Sequence, residues 1–242
     1  MVQRIKGEIP NSITCLNLLC GCLAVIFAFR AGNAGPLEGY QWSFLFIGLA
    51  AIFDFCDGAM ARLINAYSPV GKELDSLSDL VSFGVAPAML VFNTFNWAWS
   101  STEPYWLLPY FSLMIAVCGG IRLARFNVDT RQTTEFIGLP IPANAIFWIG
   151  AVSWLHTYEM PAVLAVYLIP VIVIVSLLML APMRLFSLKF KNFALAENWY
   201  RYLLLAAAVI FVALLQLPGL ALLILFYVVL SYIVNAINNL IK

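Results

Sequence analysis

"DFCDGAMARLINAYSPVGKELDSLSD", residues 54–79, holds four of the chain's five aspartates, and the sequence on both sides of it is almost continuously apolar. Asp54, Asp57, Asp75 and Asp79 therefore need a physical reason to be there. The surrounding composition makes that need sharper. Of 242 residues, 63% are hydrophobic and 10% charged, and the mean hydropathy is +0.93. Soluble domains carry about 25% charged residues, so the lipid bilayer is the solvent that fits this chain. A net charge of +1 excludes the broad basic surface that would hold a nucleic acid.

Apolar runs of about 20 residues mark membrane spans. Eight such runs are present, at 11–30, 41–63, 72–98, 104–125, 141–157, 161–182, 199–216 and 219–240. The sequence thus predicts an all-α, polytopic integral membrane bundle of about eight transmembrane helices. Arg4 and Lys6 precede the first run as in a signal peptide, but its apolar core is longer than the roughly 7–15 residues of a signal h-region. Basic residues set the orientation. Arg62 and Lys72 flank the second connection, Arg122, Arg125 and Arg131 the fourth, and Arg184, Lys189, Lys191 and Arg201 the sixth; Lys242 ends the chain. Twelve of the thirteen basic residues, all but Arg30, fall on one side, which the positive-inside rule makes cytoplasmic together with both termini.

The polar stretch "MRLFSLKFKNFALAENWYR", 183–201, divides the chain into residues 1–182, a six-helix core, and 183–242, an interfacial linker and a C-terminal transmembrane hairpin. The opening "MVQRIKGEI" suits either a short interfacial helix or a charged tail. Cys15, Cys20, Cys22, Cys56 and Cys118 lie in or beside apolar runs without zinc or disulfide spacing, as small buried side chains do. His156 falls at the outer end of the fifth run, a depth favoured by amphipathic rings.

With this orientation all four acids sit just below the cytoplasmic interface. Asp54 and Asp57 are i,i+3 and Asp75 and Asp79 are i,i+4, so each pair shares a helix face. Small residues nearby, Gly58, Ala61 and Gly71, let the helices approach closely or leave room for a ligand. An aspartate at mid-membrane costs about 2.5–3.5 kcal/mol, and four facing one another repel. Arg62 and Lys72 are too few to neutralise them. Divalent cations suffice, and an all-oxygen ligand set favours Mg²⁺, Mn²⁺ or Ca²⁺. Two such ions about 3.5–4 Å apart form a clamp for phosphoryl displacement. Spacing alone admits two other readings: helix caps with salt bridges to Arg62 and Lys72, and a carboxylate-lined cation transporter.

The pattern Asp54-x2-Asp57-Gly58-x2-Ala61-Arg62-x8-Gly71-x3-Asp75-x3-Asp79 resembles the signature of the CDP-alcohol phosphatidyltransferase family at all eight fixed positions. The resemblance covers the first six spans and implies transfer of a phosphatidyl group from a CDP-linked lipid to an alcohol, with release of CMP. It implies that Asp54, Asp57 and Asp75 hold two metals, Mg²⁺ or Mn²⁺, against the diphosphate. Asp79 would complete that site and act as general base, with Asp75 beside it in the catalytic set. It further implies that Gly58, Ala61, Arg62 and Gly71 line the cytidine pocket, and that the protein is a homodimer in a prokaryotic-type cytoplasmic membrane.

Three more stretches resemble the branch that uses serine. "PNSITCLNLLCG" places Thr14, Asn17 and Gly21 on one face that could reach the nucleotide. "GGIRLARFN" puts Arg122 and Arg125 at i,i+3, suited either to the acceptor carboxylate or to lipid headgroups, and Asn127 adds a candidate for the serine amine. In "GLPIPANA", Pro140 and Pro142 suit a loop feeding a helix start. The expected substrates are CDP-diacylglycerol and L-serine, in contact with membrane lipid. Glycerol 3-phosphate is the competing acceptor, since the same arginines would serve a phosphate. The unrelated synthase type with paired histidine-lysine-aspartate motifs is excluded by the single histidine.

Overall fold

The structure, a computed structural model, describes residues 2–30, 32–66, 68–99, 105–128, 136–158, 166–188 and 192–240. Helix α1 (Val2–Ala28) runs without a break through Pro10, so the basic N-terminus continues the first span. A small ribbon, β1 (Asn33–Ala34) and β2 (Leu37–Glu38), turns the chain into α2 (Gly39–Leu63). The third span is α3 (Pro69–Asp79), six residues of π-helix at Leu80–Val85, and α4 (Ala86–Trp99). The fourth opens as 3₁₀ turns around Pro109 and becomes α5 (Leu113–Val128).

Helices α6 (Ile141–Thr157) and α7 (Leu168–Leu180) follow, then α8 (Leu195–Leu215) and α9 (Gly219–Leu240). Among the described residues, six helical stretches are long and apolar enough to cross a membrane: Glu8–Ala28, Gly39–Leu63, Pro69–Phe95, Leu107–Val128, Glu197–Leu215 and Gly219–Asn238. The fifth and sixth expected spans correspond to α6, with 17 residues, and α7, with 13. Large apolar side chains such as Phe55, Leu63, Val209 and Leu214 are exposed, as hydrocarbon rather than water permits.

Packing centres on α1, which lies along α2 and also against α3 and the π-helical segment. The core includes fully buried Trp148 on α6, whose indole N–H donates to Asn144 Oδ1 at 3.1 Å. Helix α9 closes on α6 where Gly150 faces Ala221; a Cβ at Gly150 would meet the Ala221 Cα at 3.0 Å. A second ribbon joins distant parts of the chain, β3 (Phe136–Ile137) pairing antiparallel with β4 (Arg184–Leu185). Gly138 follows β3 at φ +77°, a backbone conformation natural to glycine, and presses on the carbonyl of Met179. The stretch predicted to lie along the interface is thus partly a strand. Arg201 at its end donates Nε–H to Ser187 O at 2.9 Å. Arg131, Lys189, Lys191 and Lys242 lie outside the described residues.

Candidate active site

The quoted stretch folds as two helices joined by residues 64–68. Asn65 turns the chain at φ 49°, a conformation asparagine tolerates better than most residues. Ser68 then caps α3: its side chain accepts the Gly71 N–H at 2.9 Å, and Pro69 occupies the first helical position. Because α1 packs against both α2 and α3, the acid-bearing faces stand apart across a cavity. The two glycines of the signature differ: a Cβ at Gly71 would stand 2.8 Å from Asn11 Oδ1 and 2.9 Å from Ser68 Oγ, so Gly71 serves close packing, whereas Gly58 leaves room. A Cβ at Gly58 would find nothing nearer than Arg62 Nη2 at 4.0 Å.

Asp54, Asp57 and Asp75 converge, each offering a carboxylate oxygen, and these oxygens lie within 4.8 Å of one another. Asp57 is buried and accepts the Thr14 hydroxyl at 2.6 Å. Lys72 directs its ammonium to Asn127 O at 3.1 Å. Three carboxylates so close, with no lysine paired to them among the described residues, suit a hard divalent cation. The residues therefore fit the metal that the signature implies. Asp79 stands outside this trio but within interaction range of Asp54, and Asn17 Nδ2 approaches its Oδ1 at 3.4 Å.

Two cavities meet here. The larger, about 500 Å³, is bordered by Thr14, Asp54, Asp57, Gly58, Ala61, Arg62, Gly71 and Asp75, with Pro10, Asn11, Ser68, Lys72 and Phe126 among the rest. The smaller, about 200 Å³, is lined by Asp75, Ser76, Asp79, Arg122, Leu123, Phe126, Asn127, Pro140, Ile141 and Pro142. Asp75 and Phe126 belong to both walls, so the two spaces adjoin at a carboxylate. Arg122 is 7% exposed and its Nε finds no hydrogen-bond partner among the described residues. An unpaired guanidinium N–H at that depth is costly without a ligand. Asn127 donates Nδ2–H to Ser76 Oγ at 2.8 Å.

Several predicted residues have other surroundings. Arg125 is exposed and directs Nη1 to Leu180 O at 3.3 Å, outside both cavity linings. Asn17 is fully buried; its Oδ1 accepts the Ser82 hydroxyl at 2.7 Å. Gly21 faces Ser82, where a Cβ would stand 2.9 Å from the Ser82 Cα, so it serves helix packing. Sequence reasoning missed Ser68, Ser76 and Phe126. The Ser-Pro pair ahead of α3 was a readable cap signal; Ser76 and Phe126 carried none.

A model of the CDP-alcohol phosphatidyltransferase family matches residues 8–183. A protein of Methanocaldococcus jannaschii named CDP-diacylglycerol–serine O-phosphatidyltransferase is 38% identical over 160 residues, 65% of this chain and 67% of that protein. The Bacillus subtilis protein of the same name is 37% identical over 138 residues, covering 55% of this chain and 69% of its own length. The Saccharomyces cerevisiae protein of that name is 40% identical over 152 residues, which cover 59% of this chain and 52% of the yeast protein.

Proposed function

The chain belongs to the CDP-alcohol phosphatidyltransferase family, and from that premise we propose that it transfers a phosphatidyl group from CDP-diacylglycerol to the hydroxyl of L-serine, releasing CMP. One observation carries this reading. A large cavity bordered by three convergent acids adjoins, at Asp75, a small one holding Asp79 and a buried, under-bonded arginine. The first suits a nucleotide diphosphate and the second a small anionic alcohol.

In this mechanism Asp54, Asp57 and Asp75 would hold divalent metal, two ions of Mg²⁺ or Mn²⁺, with Asp79 beside them. When bound, the metal would offset the negative charge of the diphosphate and of the CMP leaving group. Thr14, Gly58, Ala61, Arg62 and Gly71 border the space for cytidine and its phosphates, and Asn17 holds Asp79 in place. Arg122 receives the serine carboxylate with its planar fork, and Asn127, in the lining of the same cavity, is the candidate partner of the amine. Asp79 takes the proton of the serine hydroxyl. The freed oxygen bonds to the phosphorus that bears diacylglycerol, and the bond from that phosphorus to the bridging oxygen breaks. CMP leaves with the bridging oxygen, and phosphatidylserine remains.

Among the described residues Arg122 is the one arginine in the lining of the small cavity, Arg125 directing Nη1 to Leu180 O, and one guanidinium fork matches one carboxylate. Serine is therefore preferred to glycerol 3-phosphate. The proposal extends to a cytoplasm-facing site with both termini on that side, lateral entry of the lipid substrate, a homodimer, and a catalytic core at 1–182 with the hairpin of 183–242 appended. Purified protein incubated with CDP-diacylglycerol, Mg²⁺ or Mn²⁺, and serine, glycerol 3-phosphate or inositol tests it. Phosphatidylserine and CMP in equal amounts, dependent on metal and on serine, is the expected result. Phosphatidylglycerophosphate as the product would overturn the acceptor, and cation flux into sealed vesicles without CMP would overturn the enzyme.

A further inference from the structure

The final hairpin lies beyond the part of the chain that the family model matches, yet one of its side chains reaches the acceptor cavity's supports. Tyr227 on α9 is buried, and its hydroxyl donates to Phe186 O at 2.8 Å. Its ring also meets the Phe186 ring edge-on at 5.1 Å. Phe186 directly follows β4, which pairs with β3. Beyond β3, Gly138 N–H donates to Met183 O at 2.8 Å and Leu139 N–H to Leu178 O at 3.0 Å. The next three residues, Pro140, Ile141 and Pro142, line the small cavity. Tyr227 thus ties down the strand from which one cavity wall is hung.

Its second neighbour is Arg122, whose buried guanidinium lies within electrostatic range of both Tyr227 and Asp79. The Arg122 Nε finds no hydrogen-bond partner among the described residues and is left for a ligand. Resting on the serine reading above, we infer that Tyr227 is a positioning residue of the acceptor cavity: with its hydroxyl fixed on Phe186 O, it holds the ribbon that sets Pro140, Ile141 and Pro142 in the cavity lining beside Arg122. On this inference the last helix sets acceptor affinity without touching the lipid nucleotide.

The test is Tyr227→Phe in the full-length enzyme, which removes one hydroxyl and keeps the ring. Loss of one net hydrogen bond's worth of positioning raises the KM for serine by about fivefold. The KM for CDP-diacylglycerol should stay within about twofold of wild type, as no direct contact is lost. That split supports the inference. Unchanged values for both substrates would overturn it, as would equal shifts in both or a fall in kcat alone, which mark a merely structural hydroxyl. A wild-type enzyme that makes no phosphatidylserine would overturn the acceptor assignment first and this inference with it. An enzyme that makes it, but whose Tyr227→Phe variant shows no split, loses only the role of Tyr227.

Discussion

A methyl group added at Gly58 enters open space beside the large cavity, whereas one added at Gly21 meets the Ser82 backbone. The same substitution therefore has opposite consequences. Gly58→Ala gains about 0.5–1 kcal/mol of helix propensity and should melt no lower than wild type, while its methyl intrudes on the nucleotide and raises the KM for CDP-diacylglycerol. Gly21→Ala overpacks the α1 contact, costing about 1–3 kcal/mol, and should show as a lowered Tm. Thermal unfolding with steady-state kinetics on both variants checks the pair; an unchanged KM for Gly58→Ala would remove Gly58 from the substrate pocket. Asp79→Asn is a milder change in shape, since the amide oxygen can still accept from Asn17 Nδ2. It removes the proposed proton acceptor, however, and loss of a general base should lower turnover by about 10²-fold or more. Binding of CDP, followed by calorimetry, should largely survive. Near-normal CMP release by that variant would assign the base elsewhere.

Helix α3 presents two of the four acids, and it begins on a side-chain cap. Ser68→Ala leaves the Gly71 N–H without that partner, at a cost of about 1 kcal/mol, which in a chain of this size lowers Tm by about 2–4 °C. Ser68→Thr retains a hydroxyl at the cap and should recover most of the loss in the same melting experiment; failure to recover would mean that Ser68 acts otherwise. The helices were legible in the sequence because apolar runs in lipid have one satisfactory backbone solution. The runs at 141–157 and 219–240 coincide with α6 and α9. The acids were legible for the converse reason, being costly where they stand. The π-helical stretch Leu80–Val85 left no trace, because six apolar or small residues carry no period that separates π from α geometry. Nor could spacing reveal Thr14 on Asp57, 43 residues apart, or Tyr227 on Phe186, 41 residues apart. Gly21 was read with Thr14 and Asn17 as a ligand face; glycine suits packing and ligand approach equally, and only the position of Ser82 separates them.

At the scale of the whole molecule, orientation follows from charge, since the helices are apolar on their outer faces whichever way they cross. On the proposed topology, the twelve basic residues that the sequence groups on one side, against Arg30 on the other, would make the acid-bearing ends of α2 and α3 cytoplasmic. Arg62 borders the large cavity and Arg122 the small one, so residues that would set the proposed topology are in part residues that would meet substrate. Reversing the molecule would then carry the site to the outer face, away from a cytosolic supply of serine and of metal. This is checked by latency. In sealed, de-energised vesicles turned inside out, serine and Mn²⁺ added to the medium should reach the site directly, and CMP should appear outside at the full rate. In sealed right-side-out vesicles from the same cells the activity should be hidden until detergent opens them, because neither a zwitterionic amino acid nor a divalent ion crosses hydrocarbon unaided. Equal rates in both preparations before detergent would place the cavities on the opposite face and break the link between the basic residues and the site.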